Sequence, residues 1–211
     1  MGQTGLLYVG AVLFINGLWL LGWVRGKSLV PMNVFVGLLQ VVTPLFLIFT
    51  AEGDPAIILG ASGLFLFGFT YLYVAINVAF DLDGSGLGWF CLFVVIAALV
   101  FAAFNLRAGD AAGYVFGVLW LNWAFLWFLF WLVLSLGRTS LTRYTGAVCA
   151  TQGIITGLIP ALILLGQPSW FTTELAVGIA VLSVILWVVY FARVKPEAAP
   201  SPAAERERAA Y

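Results

Sequence analysis

Seven stretches of this chain, near residues 4–24, 31–50, 56–80, 87–106, 112–136, 144–165 and 173–194, are apolar and nearly free of charge. A helix rises about 1.5 Å per residue, so runs of about 20 residues can each cross a hydrocarbon core of roughly 30 Å. A mean hydropathy of +1.11, with 64% hydrophobic and 9% charged residues, lies far outside the balance of a soluble domain. The expected fold is all-α and integral to a membrane, with about seven transmembrane helices joined by very short loops.

The segment 195–211, with its PEAAPSPAAERERAA composition, has no apolar periodicity and is expected to be a disordered or frayed tail. No Lys or Arg precedes the first run, which is also too long for the apolar part of a cleaved signal, so it is expected to stay as a helix. Eight of the nine basic residues fall on one side of the membrane: Arg25, Lys27, Arg138, Arg143, Arg193, Lys195, Arg206 and Arg208. Arg107 alone falls on the other. Because cytoplasmic loops retain Lys and Arg, the amino terminus is expected outside and the carboxyl terminus in the cytoplasm. A net charge of zero conceals this asymmetry and gives no sign of a nucleic-acid partner.

Cys91 and Cys149 both fall inside apolar runs, where cysteine behaves as a small hydrophobe. With no histidine in the chain, no ligand set for zinc, haem or an iron–sulfur cluster can be assembled, and no metal or other cofactor is expected. Asp81 and Asp83 in DLDGSG lack the downstream ligands of a calcium loop.

The fifth run contains VLWLNWAFLWFLFWL, with tryptophans at 120, 123, 127 and 131. At about 100° per residue the four rings fall within roughly 80° of one helix face. Tryptophan favours the ends of a membrane helix, where its indole N–H meets water, yet Trp123 and Trp127 sit near the middle. Packing between helices and the wall of a narrow path both account for such a stripe. A second stripe, Phe69, Tyr73 and Asn77, follows i, i+4, i+8 spacing in LFGFTYLYVAIN, where the same residues could equally be interhelical glue.

Polar residues within the runs are neutral. Asn16 sits mid-span among Gly10, Gly17 and Gly22; Asn33, Gln40 and Thr43 share one face of the second run ahead of Pro44. Asn122 lies in the tryptophan run, and Thr151, Gln152 and Thr156 precede Pro160 in the sixth. Such amides either bond across helices, at about 0.6 kcal/mol each on average, or face a polar solute. The fourth run is nearly featureless and expected to face lipid. Trp187 and Tyr190 suit an interfacial aromatic belt.

No Asp, Glu, Lys or Arg lies deep in a run. Proton relays, ion-coupled carriers and voltage sensors are built from such charges, so a path here suits a small uncharged solute. With no histidine and no buried acid or base beside a Ser or Cys, there is no catalytic residue and an enzyme is not expected. The remaining alternative is a membrane scaffold or assembly protein with no path.

LLYVGAVLFINGL, MNVFVGLL, LFGFTYLYVAIN, WLNWAFLW and QGIITGLIPALILL occur in an order and spacing that resemble the AmiS/UreI family of urea and short-chain amide channels, over roughly residues 5 to 165. The resemblance implies a six-helix channel core of paired helices over 1–165, with an additional transmembrane helix over 166–194. It implies a passive channel for urea or short aliphatic amides in the bacterial inner membrane, with a separate pore through each protomer of a homo-oligomer, a hexamer in the characterised urea channel. Carried over by position, Phe69, Tyr73, Trp120, Trp123, Leu126 and Trp127 look like the constriction, and Asn16, Asn77 and Gln152 like polar support. The acid-gated member has histidine-rich loops and a glutamate where this chain has Gln152; here no histidine gate can exist, and an ungated or differently gated pore is expected. Another neutral solute, such as ammonia or a polyol, remains an alternative.

Overall fold

A computed structural model describes residues 2–194; the tail from Lys195 lies outside the described residues. Among these, secondary structure is entirely helical. The helices are α1 (Gly2–Leu20), α2 (Val30–Phe49), α3 (Pro55–Phe80), α4 (Ser85–Ala108), α5 (Ala111–Leu134), α6 (Thr142–Gln152), α7 (Ile159–Gly166) and α8 (Thr173–Arg193). A π-helical stretch, Gly153–Leu158, joins α6 to α7 into one continuous sixth span. Seven spans long and apolar enough to cross a membrane result.

Helix ends follow local chemistry. Pro55 opens α3, and the Asp54 carboxylate accepts from the Ala56 and Ile57 N–H groups at 2.8 and 3.4 Å. Asp110 caps α5 through the Gly113 N–H at 2.7 Å. The α4 helix stops at Gly109, whose φ of +74° is a left-handed conformation that glycine enters without strain.

The spans associate as three pairs, α2 with α3, α4 with α5, and α1 with the sixth span, while α8 lies outside against α5 and α6. The α1 seam is built from glycines. A Cβ placed on Gly10 would lie 2.6 Å from the Gly153 carbonyl oxygen and 2.7 Å from the Leu158 nitrogen, so two backbones meet with no side chain between them. In the α2–α3 pair, Pro44 removes the N–H that would bond the Gln40 carbonyl. Gly68 of α3 lies over that oxygen, where a Cβ would approach to 2.9 Å.

Asn33, Gln40 and Thr43 are all buried, so the polar side of α2 does turn inward. The α4 helix departs from its expected lipid-facing character: Cys91, Val94, Ala98 and Ala102 form a buried line, and only the opposite side, with Phe93, Ile96 and Val100, is exposed. Small residues let α5 come close there. The Trp187 ring stacks on Phe125 with centroids 4.0 Å apart and anchors α8 to α5. Tyr144 of α6 meets Phe191 edge-on at 5.7 Å and fixes the far end of the same helix.

Candidate functional site

Between the three pairs lie two cavities, entered from opposite ends of the bundle. The larger, about 690 Å³, opens among Gly26, Lys27, Asp81, Leu82 and Gly84 at the end that carries Arg25, Lys27 and Arg138. The smaller, about 360 Å³, reaches from Gly2, Gln3, Leu47 and Gly60 at the other end. Two side chains line both cavities: Phe67 of α3 and Trp123 of α5. The wall between the two spaces is thus aromatic and about one ring thick.

Phe67 is the hub of that wall. Its ring centroid lies 4.8 Å from those of Trp123 and Trp127 and 5.7 Å from that of Trp120. Trp120 meets Trp123 edge-on at 5.2 Å and is backed by Phe101, stacked at 4.7 Å. Contacts of this kind contribute about 0.5–1.5 kcal/mol per pair beyond area burial. The cluster is therefore cohesive without any partner from outside it.

Two indoles of the cluster have polar anchors. The Trp123 Nε1–H donates to the Thr156 hydroxyl at 3.0 Å, and that hydroxyl donates to the Gln152 carbonyl at 2.6 Å. The Trp127 Nε1–H donates to the Thr70 hydroxyl at 3.3 Å, and Thr70 donates to the Leu66 carbonyl at 2.6 Å. Behind them, the Gln152 side-chain Nε2 donates to the Asn122 carbonyl at 3.0 Å and ties the sixth span to α5.

Most residues singled out from the sequence meet at these cavities. Trp120 lines the smaller space, Trp123 both, and Leu126 and Trp127 the larger. Asn16 and Asn77 line the larger cavity. Asn16 forms a reciprocal carboxamide pair with Asn33, with Nδ2···Oδ1 distances of 2.9 and 2.7 Å, and Asn77 donates to the Asp83 carbonyl at 3.4 Å. Gln152 is buried behind the wall and lines neither cavity.

Phe69 and Tyr73 lie elsewhere. Phe69 is 49% exposed on the outside of the protomer, stacked on Phe65, and Tyr73 points its hydroxyl at Gly86 of α4. Their expected places belong to Phe67 and Tyr71, each at most 4% exposed. Phe67 and Phe69 are two residues apart, about 200° around a helix, so they face nearly opposite directions. The inner stripe is Phe67, Thr70, Tyr71, Val74 and Val78, at i, i+3, i+4, i+7 and i+11. The same i, i+4 pairing of a phenyl ring with a tyrosine occurs in both stripes of the sequence, and the outer one also continues to an amide at i+8, Asn77. Trp131 lines neither cavity; it packs on Trp89 and Phe128.

Charge is confined to the rim. Among the described residues lining either cavity, only Lys27 and Asp81 are ionisable acids or bases of full charge, and both stand at the mouth of the larger space. The Lys27 ammonium donates to the Asp81 carboxylate at 2.6 Å and to the Ala79 carbonyl at 2.8 Å, linking the α1–α2 loop to the end of α3. Nearby, the Ser85 hydroxyl and backbone N–H both donate to the Asp83 carboxylate and hold its pKa below the ordinary value. No group of His, Cys, Asp and Glu able to hold a metal occurs among the described residues.

Comparison with known proteins places this geometry. The AmiS/UreI family transporter model matches residues 1–168. A Mycolicibacterium smegmatis protein named as an amidate substrates transporter is 50% identical over 204 residues, covering 95% of this chain and 93% of its own. The acid-activated urea channel of Helicobacter pylori is 33% identical over 188 residues, covering 77% of this chain and 96% of its own. The crystal structure of the Helicobacter pylori urea channel superposes with a TM-score of 0.72 at 33% identity, covering 80% of this chain and 99% of that one.

Proposed function

The chain belongs to the AmiS/UreI family of membrane transporters, and from that premise we propose that it is a passive channel for urea or a short aliphatic amide through each protomer. The observation that carries this reading is the shared aromatic wall: two cavities from opposite ends meet at Phe67 and Trp123. A uniformly packed scaffold would have no reason to hold about 690 and 360 Å³ of space against a cluster of fixed rings.

In this reading a flat, neutral solute leaves water at the rim and meets amides and hydroxyls on the cavity walls. It crosses the ring layer edge-on. An ion would lose its hydration there with no compensating charge, so the same layer rejects it. Phe67, Trp120, Trp123, Leu126 and Trp127 form the constriction, and Asn16 and Asn77 are polar groups of the larger vestibule. Gln152 supports the wall from behind. The chain sits in a bacterial inner membrane with its basic end cytoplasmic, as a ring-shaped oligomer of the kind the family resemblance implies. The matched core ends near residue 168, and α8 is an addition on its flank.

Stopped-flow light scattering on liposomes containing the purified protein tests this. Urea and acetamide are expected to equilibrate well above the rate of empty vesicles, and glycerol close to it. Equal rates for all three with and without protein would overturn the proposal, and a preference for glycerol would replace it with a polyol channel.

A further inference from the structure

Two features of the ring layer repeat on opposite sides of it. Trp123 and Trp127 each place their indole N–H on a threonine, one from the sixth span and one from α3. Each threonine has already committed its hydroxyl proton to the carbonyl four residues earlier in its own helix, at 2.6 Å in both cases. A hydroxyl carries one proton, so these two oxygens can only accept from a ring. The direction of both bonds is thereby fixed, from indole to threonine to main chain.

We propose that Thr70 and Thr156 are positioning residues that set the selectivity of the passage by locking the two tryptophans in one orientation, with each indole N–H committed to a threonine: Thr156 outside both cavities, and Thr70 in the wall of the larger one. The proposal rests on the channel reading given above. A solute at the wall then meets ring faces, C–H edges and a Thr70 oxygen whose proton is already committed, with no free indole donor, and selection is by cross-section. An indole whose N–H were free would either rotate, widening the gap, or offer a donor that retains hydroxylated solutes. At Thr156, outside both cavities and fully buried, no water replaces a lost partner, so the Trp123 indole has few other options.

Thr156 has a further constraint, because it lies inside the π-helical stretch Gly153–Leu158. The i→i+5 bonding of such a turn shifts the register of side chains relative to an unbroken α-helix, and π turns of one or two windings recur at functional positions. Here the turn coincides with the residue that reaches across to Trp123, and Thr156 is fully buried in doing so. Thr70 achieves the same on a regular helix, since α3 faces the cluster directly.

The test uses the full chain in liposomes with Thr70→Val, Thr156→Val, Thr70→Ser and Thr156→Ser. Valine keeps the volume and removes the acceptor; serine keeps the acceptor. Two readouts are taken: the urea-to-glycerol permeability ratio, and ultraviolet resonance Raman of the indole N–H, which reports its hydrogen bonding. Each valine variant is expected to lose one bonded indole signal and to lower the ratio by about three-fold, the equivalent of a membrane-embedded hydrogen bond of about 0.6 kcal/mol. Each serine variant is expected to restore both.

An unchanged Raman signal in the valine variants would overturn the anchoring. A changed signal with an unchanged ratio would overturn its part in selectivity. Should either valine variant fail to fold, the other threonine, on a different helix, decides the question by the same two readouts. Wild-type protein that passes neither solute would instead sink the channel reading on which the proposal rests, a result distinct from both.

Discussion

Two seams of the bundle show opposite ways of joining helices where lipid supplies no hydrophobic drive. Between α1 and the sixth span, Gly10, Gly153 and Gly157 bring backbones into contact and leave no gap. Between α3 and α5, Phe67, Trp120, Trp123 and Trp127 keep the helices apart and leave space on both sides of a ring layer. The first seam gains dispersion contacts and weak polar bonds from closeness. The second gains ring–ring contacts that do not require closeness, and the N–H groups of Trp123 and Trp127 are satisfied by threonine.

The comparison is broken most severely at the glycine seam. Gly10→Val would force a side chain against the Gly153 carbonyl and the Leu158 nitrogen, both main-chain atoms that cannot rotate away. Overpacking of this kind costs about 1–3 kcal/mol and more where backbone must shift. The expected outcome is loss of folded protein in membranes or a much lowered melting temperature in detergent, read by size-exclusion fluorescence. Urea permeability per folded molecule should be little changed if any survives, because no cavity residue is altered.

Trp123→Ala makes the reverse kind of change, joining the two cavities while leaving the frame. Glycerol permeability is expected to rise about ten-fold or more, equivalent to about 1.4 kcal/mol off the barrier, in stopped-flow assays. Urea should rise less, so the ratio falls. Stability also falls, since a buried indole and its bond to Thr156 are lost, yet the folded fraction should exceed that of Gly10→Val. A ratio equal to wild type in the folded variant would mean that the ring only packs.

The spans were legible because lipid imposes one rule on all of them: about 20 apolar residues without charge. Short loops made neighbouring spans antiparallel, and the glycines at 10 and 17 marked a close seam. The direction each helix turns was less legible. Both Phe67–Tyr71 and Phe69–Tyr73 combine a phenyl ring and a tyrosine at i, i+4, and helical arithmetic ranks neither above the other. Thr70 breaks the tie only when its partner, Trp127, is known, 57 residues away. The roles of Thr70 and Thr156 were hidden for the same reason, since a threonine bonded to its own i−4 carbonyl is ordinary within a helix. The π turn left a faint trace in Gly153, Gly157 and Pro160, but those residues equally suit a plain α-helix with a kink.

A smaller effect sharpens that point. Phe67→Leu should lower the urea-to-glycerol ratio several-fold and destabilise the protein by about 1 kcal/mol or more, because four ring contacts go with it. Phe69→Leu should leave permeability unchanged and alter stability by no more than about 0.5 kcal/mol. The paired measurement, permeability and thermal unfolding on the same preparations, would be reversed if the outward stripe were the one that faces the solute.

The smallest effect is expected from pH. Among the described residues no carboxylate, ammonium or guanidinium touches the ring wall, and the chain has no histidine. At the rim, Lys27 and Asp81 are each more than half exposed, so their ion pair contributes at most about 1 kcal/mol and is screened by salt. Asp83 is the loop carboxylate whose pKa is depressed, by its bonds from Ser85. A depressed folded pKa contributes stability above the unfolded value, and that contribution is lost only as pH falls through the folded one, below the ordinary carboxylate range. Between pH 5 and pH 8 neither permeability nor melting temperature should move, and Lys27→Ala should shift the latter only slightly. A steep rise in urea permeability on acidification across that window would require a titrating gate that neither cavity wall contains, and would relocate control of the passage from the aromatic layer to the rim.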